Sequence, residues 1–392
     1  MQYLAILGRQ PLLSVAELES QFSDVSILSM PKNGSALAEF TSEKEPNIAR
    51  LGGTIKIAKE LSEFGKFSSP EQYLASIDFS GKYVIGVSDY SRNASARGAQ
   101  GEALRLKRIL KKAGRSARVI PNKTADLSSA SVFHNQLGEK PGHIELIKYE
   151  KRWFIGIGVQ NINAYRDRDQ KRPARDAKVG MLPPKLAQIL INLCGPLKTG
   201  ATVLDPFCGT GVVLQEAMLM GYKAYGTDIS ERIVGFSEKN LQALTKTVNF
   251  PSSSASRQEL DECNKFTVSV GDATDFTWEQ PIDAVACEGY LGPPMSQAPV
   301  DIKLKTVKQE CKAIIIGFLK NLAPQIKAKT PVVMAIPAWQ RPNNQYDRLK
   351  ILDEVDKLGY NVLKFRNLSQ DDLLYYRDGQ VVAREIIVLR KK

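Results

Sequence analysis

The region after Gly200 constrains the fold most, because short apolar segments alternate there with amphipathic ones. The apolar segments predict strands at residues 202–205, 224–227, 267–270, 284–287 and 332–336. The amphipathic segments predict helices at residues 212–220, 231–244 and 307–322. Such alternation is typical of an α/β domain built on a parallel sheet. A hairpin over residues 373–390, turning at Asp378-Gly379, is expected to close this sheet with an antiparallel edge.

The turn after the first of these strands is rich in glycine and opens a helix. Glycines let a backbone approach a ligand closely, and the free N–H groups of a helix N-terminus suit a carboxylate. An acidic residue before the turn suits an ammonium group. The sequence therefore predicts a site for the amino-acid part of S-adenosylmethionine. The residues of this turn are Asp205, Pro206, Phe207, Cys208, Gly209, Thr210 and Gly211.

Two further predicted strands end in an acidic residue followed by an apolar one. Asp228 precedes Ile229, and its carboxylate can accept from both hydroxyls of a ribose. Asp272 precedes Ala273 and can accept from an adenine amine. These four residues complete the predicted nucleoside side of the cofactor site.

A dinucleotide-binding fold is the main competing interpretation, since it also has a glycine-rich turn and an acidic residue after the second strand. That fold requires G-x-G-x-x-G, but Gly211 is followed by Val212, Val213 and Leu214. In addition, Asp205 would repel a pyrophosphate. The sequence therefore favours S-adenosylmethionine over a dinucleotide.

The positive charge of the chain, formally +12, is concentrated before this region. Between Arg92 and Arg118, nine basic residues face one acidic residue, Glu102. A second, mixed cluster follows over residues 166–178. Local clusters of this kind are typical of phosphate-binding surfaces, although a solvated helix face is the simpler alternative. The candidate RNA contacts are Arg92, Arg97, Arg105, Arg108, Lys111, Lys112, Arg115, Arg172 and Arg175.

Composition and patterning also predict the organisation of the rest of the chain. Residues 1–80 read as a small α+β domain with a turn at Asn33-Gly34, and residues 81–162 as a second one. An irregular linker is expected over 163–184, a catalytic domain over 185–392, and a polar loop over 251–263. The sequence lacks an apolar run long enough to span a membrane. Five cysteines without CxxC spacing and two histidines argue against a disulfide framework or a metal site and favour the cytoplasm.

Residues 200–292 resemble class I methyltransferases, and DPFCGTG has the form of their RNA-methylase branch. The upstream stretch Arg172-Pro173, then residues 180–187 and Asn192-Leu193, is similar to the segment before this motif in THUMP-domain RNA methyltransferases. The type that methylates N2 of guanosine 10 in tRNA is the nearest in pattern. This resemblance implies a ferredoxin-like domain at 1–80, a THUMP-like RNA-binding domain at 81–162 and tRNA as the partner. It also implies that Leu182 and Pro183 belong to the cofactor site.

The chain departs from this family after the fourth strand of the region. The family has Asp/Asn-Pro-Pro-Tyr/Phe there, whereas this chain has Glu288-Gly289-Tyr290-Leu291. Glu288 and Tyr290 are the candidate catalytic residues, for hydrogen bonding and for stacking the base, and Glu288 also borders the cofactor site. Two alternatives stay open, an N6-adenine DNA methyltransferase and an inactive cofactor-binding protein that binds RNA. The residues leave open the exact nucleotide, mono- or dimethylation, an activating protein partner and the oligomeric state.

Overall fold

The computed structural model describes residues 1–31, 35–65, 67–176, 181–247, 265–295, 301–341 and 345–392. The chain forms two compact units, residues 1–15 with 22–165 and residues 16–21 with 166–392. The expected turn at Asn33-Gly34 and the expected polar loop at 251–263 lie outside the described residues. In the described part of the chain, no helix has the length and apolar character needed to cross a membrane.

The first unit is built on an eight-stranded sheet with the order β2-β3-β1-β4-β8-β7-β5-β6. Its strands are β1 (Gln2–Leu7), β2 (Ser26–Ser29), β3 (Leu37–Thr41), β4 (Thr54–Glu60), β5 (Tyr83–Asp89), β6 (Ala117–Val119), β7 (His143–Tyr149) and β8 (Arg152–Val159). The helices of this part of the chain are α1 (Pro11–Gln21), α2 (Pro70–Ser76), α3 (Ala96–Lys112), α4 (Ser129–His134) and α5 (Ile162–Gln170).

The pairing of β4 with β8 joins the two domains that the sequence predicts for this half. Ile57 lies opposite Gly158, and Lys59 lies opposite Ile155. Residues 1–80 and 81–162 therefore share one sheet. The expected linker over 163–184 also differs from the structure, because α5 occupies residues 162–170.

Helix α3 carries the basic cluster because its apolar residues are spaced for burial on one side. The Ser95 side chain caps the helix by accepting from the backbone N–H of Gly98 at 3.1 Å. Ala99, Ala103, Leu106 and Leu110 are buried at spacings of three and four residues. The basic residues between them are therefore left on the outer side of the helix.

The second unit is built on a nine-stranded sheet whose main path runs β11-β10-β9-β12-β13-β17-β15. Its strands are β9 (Thr202–Asp205), β10 (Lys223–Asp228), β11 (Phe266–Val270), β12 (Ala284–Glu288), β13 (Pro331–Gln340), β14 (Tyr346–Arg348), β15 (Tyr360–Val362), β16 (Leu374–Tyr375) and β17 (Val382–Lys391). Its helices are α6 (Pro184–Leu193), α7 (Val212–Leu219), α8 (Glu231–Thr247), α9 (Asp301–Leu322) and α10 (Leu352–Val355).

The predicted alternation of strands and helices in this unit is confirmed, and β9 to β13 are parallel. The predicted hairpin is present as β16 paired with β17. Its predicted place at the edge is wrong, because β17 lies between β13 and β15. The ten residues of β17 are mostly buried and pack in the interior of the sheet.

The order of the parallel strands reverses between β9 and β12. In sheets of this kind, ligands bind beyond the carboxyl ends of the strands at such a reversal. Asp205 ends β9 and Glu288 ends β12. The topology therefore places both residues at the expected crevice.

Candidate active site

The glycine-rich turn after β9 is fixed by its own backbone and by β10. The Gly211 N–H donates to the Cys208 carbonyl at 2.8 Å, and the Cys208 N–H donates to the Thr227 carbonyl at 2.9 Å. Gly209 and Gly211 have φ values of +52° and +82°, which favour glycine. A Cβ on Gly211 would lie 2.4 Å from the Ser237 hydroxyl. A Cβ on Gly209 would meet only the Phe207 carbonyl, at 3.9 Å, so a ligand can approach the backbone there.

Asp228 holds the turn through both carboxylate oxygens. Its Oδ2 accepts from the Gly209 N–H at 3.0 Å, and its Oδ1 accepts from the Ser230 N–H at 3.0 Å. The next residue, Ile229, is 72% exposed. An exposed large apolar side chain beside an acidic strand end can pack against the flat face of a nucleoside base.

Asp205 is a buried carboxylate at the point where the turn begins. It is 2% exposed, and its Oδ1 accepts from the Phe207 N–H at 3.1 Å. Burial raises the pKa of this carboxyl well above its usual range, and the nearby carboxylates of Asp228 and Glu288 raise it further. Among the described residues, no basic side chain forms an ion pair with Asp205. A bound ligand cation would lower that electrostatic cost.

The end of β11 supplies the third predicted acidic residue. Asp272 Oδ1 accepts from the backbone N–H of Thr274 at 2.9 Å and from its hydroxyl at 2.7 Å. The Gly271 N–H donates to the Asp228 carbonyl at 3.0 Å, which ties the ends of β10 and β11 together. Ala273 is buried, and its carbonyl accepts from Asn321 at 3.1 Å.

Cys208 and Phe207 stabilise the turn by packing. Cys208 is 4% exposed, and burial raises the pKa of its thiol well above the usual range. Such a thiol is a poor nucleophile. The Phe207 ring packs edge-on against Phe318, with centroids 5.3 Å apart. The Thr227 hydroxyl donates to the Pro206 carbonyl at 3.4 Å.

Residues 172 and 174 pack against the same turn and its neighbour α8. Arg172 is only 7% exposed and donates to the Thr210 hydroxyl at 3.3 Å, so the structure corrects the expectation of a surface contact to RNA. Asn240, which the sequence analysis missed, donates to the carbonyls of Ala174 at 3.0 Å and Thr210 at 2.9 Å. No motif in the sequence marks Asn240. Both residues brace the turn from behind.

Of the other residues between α5 and α6, Leu182 is buried and Pro183 is the residue before α6. Arg175 is exposed and donates to the Asp169 carbonyl at 3.2 Å. Leu182 and Pro183 stay predicted cofactor contacts, and Arg175 stays a predicted RNA contact.

The end of β12 holds an ion pair that the sequence analysis did not anticipate. Arg384 on β17 donates from Nε to Glu288 Oε1 at 2.6 Å. The two side chains are 8% and 16% exposed, so solvent screens the pair weakly. Burial raises the pKa of Glu288, and the charges of Arg384 and Arg377 oppose that rise. Arg384 therefore fixes one carboxylate oxygen and favours the ionised form.

The loop after Glu288 continues along the sheet before it turns away. The Gly289 N–H donates to the Ala335 carbonyl at 2.9 Å, which extends the pairing of β12 with β13. Tyr290 is 38% exposed, so its ring is available to a ligand. Gly292 has a φ of +85°, and a Cβ there would lie 2.8 Å from Val307 on α9. The loop thus presents Tyr290 beside Glu288 while packing on α9.

The basic side chains around α3 divide into an exposed group and an engaged group. Arg105 pairs with Glu102 and Glu71, which neutralise it. Arg115 donates to the carbonyls of Leu74 at 2.7 Å and Ala75 at 3.2 Å. These two residues are therefore engaged in contacts within the first unit. The exposed residues are Arg92, Arg97, Arg108, Lys111 and Lys112.

The residues present fit S-adenosylmethionine. Asp205 offers a buried carboxylate to an ammonium group, and Asp228 and Asp272 offer acceptors to hydroxyl and amine groups. The N-terminus of α7 has no side-chain cap, so its first N–H groups can meet a carboxylate. Open space in front of Gly209 leaves room for the ligand.

A protein-family model matches this part of the chain. Residues 171–273 match UPF0020, described as RMKL-like, methyltransferase domain. The match includes the glycine-rich turn, Asp228 and Asp272, and it ends before Glu288.

Curated proteins match part of the chain as well. The tRNA (guanine(10)-N2)-dimethyltransferase of Methanothermobacter thermautotrophicus is 30% identical over 160 residues, which are 41% of this chain and 40% of that protein. The protein of the same name from Pyrococcus abyssi is 37% identical over 106 residues, which are 26% of this chain and 31% of that protein. The chain thus spans less than half the length of these relatives. Among solved structures, TrmN from Thermus thermophilus is 16% identical with a TM-score of 0.46, and all of both chains is covered.

Proposed function

We propose that this chain, whose residues 171–273 match a methyltransferase-domain family, is an S-adenosylmethionine-dependent tRNA methyltransferase. It transfers a methyl group to an exocyclic base amine, N2 of a guanosine. The main support is that Asp205 and Glu288 end the two neighbouring strands, β9 and β12, between which the strand order reverses. One carboxylate faces the cofactor site, and the other begins the loop where the base would lie.

The cofactor would be held by groups that the chain keeps in place without it. Asp205 would bind the ammonium group, and the N-terminus of α7 would bind the carboxylate. Asp228 would accept from the ribose, with Ile229 and Asp272 on the base. When bound, S-adenosylmethionine supplies an electrophilic methyl group on a sulfonium. The rest of the chemistry belongs to the side chains at the end of β12.

Glu288 would accept a hydrogen bond from the amine that is methylated. This contact would direct the nitrogen lone pair towards the methyl group. Such positioning and electrostatic stabilisation are the main sources of rate acceleration in a reaction of this kind. Transfer of the methyl group would leave the amine nitrogen with one proton too many, and Glu288 would accept that proton. Burial raises the pKa of Glu288, so the carboxylate is a better proton acceptor than an exposed one.

Arg384 would act as a positioning residue. Its guanidinium engages Oε1 of Glu288, which leaves Oε2 for the amine. The family motif achieves rigidity with two prolines, which this chain lacks at Gly289 and Tyr290. The buried ion pair supplies an alternative way to hold the carboxylate still. Tyr290 would stack on the base.

The RNA would be held by the exposed basic residues of the first unit. The exposed cations, which can contact phosphates, are Arg92, Arg97, Arg108, Lys111 and Lys112. The target base leaves its stack to reach the catalytic residues. This function places the protein in the cytoplasm, where its tRNA substrate is.

A second candidate function rests on one observation, the altered sequence after β12. If the flexible Gly289 does not hold the base in a fixed position, the chain binds S-adenosylmethionine and RNA without transferring the methyl group. An adenine in DNA would be the substrate if the chemistry is intact but the recognition differs.

Incubation of the protein with radiolabelled S-adenosylmethionine separates these functions. Undermodified tRNA, a DNA duplex and a blank serve as the three acceptors. Label in tRNA alone supports the proposal. Label in DNA supports the adenine alternative, and bound cofactor without transfer to either nucleic acid supports the inactive protein.

A further inference from the structure

Helix α9 presents a row of basic residues along one border of its buried face. Lys305, Lys308 and Lys312 recur at helical spacing, whereas Val307 and Cys311 are buried. Lys305 is exposed and has no acidic partner among the described residues. The second unit, which we call the catalytic unit, thus carries a local positive surface, although acidic and basic residues are nearly equal in number after Gly200.

The row forms one wall of a groove of about 480 Å³. Arg341, just after β13, and Asp347 on β14 line the opposite wall. Asp347 forms ion pairs with both Lys308 and Arg341. Lys312 pairs with Glu354. Two carboxylates therefore face three of the four cations of the groove, and Lys305 is a fourth cation with no acidic partner among the described residues.

The groove adjoins the loop that carries Tyr290. Gly292 packs against Val307 and Cys311, and Lys308 and Lys312 follow these two residues directly in the chain. Because α9 comes between the parallel strands β12 and β13, its first turns lie at the carboxyl edge of the sheet. Lys305 and Lys308 belong to those turns. The basic surface is therefore on the same edge as Glu288.

We infer that this groove binds backbone phosphates of the RNA next to the methylated base. The inference rests on the proposed function and adds a second contact surface, within the catalytic unit. Phosphate contacts fix the register of a nucleic acid without reading its sequence. A contact beside the loop of Tyr290 would hold the strand on which the target base is turned out.

The test compares two charge-matched double variants by their binding to undermodified tRNA. The groove variant is Lys305→Gln with Lys308→Gln, because Lys308 shares its carboxylate with Arg341 whereas Lys312 is paired with Glu354. The control is Lys320→Gln with Lys327→Gln, which removes two exposed charges at the other end of the same helix and beyond it. Fluorescence anisotropy is recorded from about 50 to 200 mM salt, the range in which phosphate contacts are strongly salt-dependent.

The groove variant is expected to bind about ten-fold more weakly at low salt, with a slope of log K against log salt reduced by about 1–2. Its affinity for S-adenosylmethionine and the RNA binding of the control stay at the wild-type value. Equal affinity and slope in the groove variant and the control overturn the inference. So does a wild-type protein that binds no RNA.

The same samples separate this inference from the proposed function. If the wild type methylates tRNA but the groove variant binds like the control, only the inference fails. If the wild type transfers no methyl group but the groove variant still binds RNA more weakly, the groove stands and the proposed function fails.

Discussion

The two halves of the candidate site are built in different ways. The cofactor half, around β9 and β10, consists of a glycine-rich turn and strand-end carboxylates close together in sequence, and Asp228 fixes it through two backbone N–H groups. The base half, at the end of β12, depends on a side-chain pair whose members are 96 residues apart, Glu288 and Arg384. Local backbone geometry holds the first half, and the arrangement of the sheet holds the second.

This difference explains why one half follows a motif and the other does not. A turn with positive φ angles requires glycine at fixed positions, so it leaves a recognisable pattern in the sequence. The carboxylate of Glu288 is held by an arginine from another strand, so the loop after it does not need prolines to keep it in place.

Glu288→Gln should have the largest effect on the reaction and little effect on cofactor binding. The amide keeps the size of the side chain but cannot take a proton. We expect kcat to fall about 100–10,000-fold, the range for loss of a general base. Single-turnover assays with saturating tRNA measure it. A kcat within about two-fold of wild type would remove Glu288 from the mechanism, and Glu310→Gln on α9 is the control.

Asp228→Ala should break the cofactor half and spare RNA binding. The substitution removes the acceptor for the ribose and releases the N–H groups of Gly209 and Ser230. Two charge-assisted hydrogen bonds predict a rise in the Kd for S-adenosylmethionine of at least about 100-fold. Isothermal titration calorimetry measures it, with the exposed Asp275→Ala as the matched acidic control. Unchanged affinity would refute the assignment.

Arg384→Met should change the pH dependence of the reaction. Without the cation, the pKa of Glu288, already raised by burial, rises further. Glu288 acts as the carboxylate, so activity is lost as pH falls through its pKa. The acid limb of kcat/KM should therefore move to higher pH, with activity near neutral pH down by about ten-fold.

Arg384→Lys keeps the charge and should recover part of this loss. A profile that drops equally at all pH values, with no recovery in Arg384→Lys, would indicate a purely structural role for Arg384.

The smallest expected effect concerns two arginines of one helix, α3. Arg108 is exposed, whereas Arg105 is neutralised by Glu71 and Glu102. Arg108→Gln should weaken tRNA binding about three-fold and lower the salt slope by about 1, and Arg105→Gln should change both less. Filter binding at several salt concentrations measures the difference. Equal slopes in both variants and wild type would mean that α3 presents only a solvated face.

Sequence periodicity was sufficient to predict the parallel strands β9 to β13, because strand-like and helix-like segments alternate regularly along this part of the chain. It could not place β17, which pairs with β13 and β15 through tertiary contacts rather than as an edge. The pairing of Glu288 with Arg384 follows from that placement. The ion pair could therefore not be predicted from the spacing of the motifs.

Counting charges along the sequence located the basic region, but it could not tell which of its residues are free to contact a nucleic acid. The cluster between Arg92 and Arg118 contains Arg115, which binds backbone carbonyls of the same unit. Arg172 has the sequence context of a surface residue but is buried against the turn. A guanidinium serves equally well as a phosphate contact and as an internal donor, and only the folded chain decides between them.

Mass spectrometry of undermodified tRNA after reaction with the protein and S-adenosylmethionine can show whether the chain methylates N2 of a guanosine through Glu288. We expect methylation at N2 of a guanosine with the wild type, and none above background with Glu288→Gln, although the variant binds the cofactor with wild-type affinity. A methyl group on another atom of the RNA would contradict it. Full methylation by Glu288→Gln would contradict it as well.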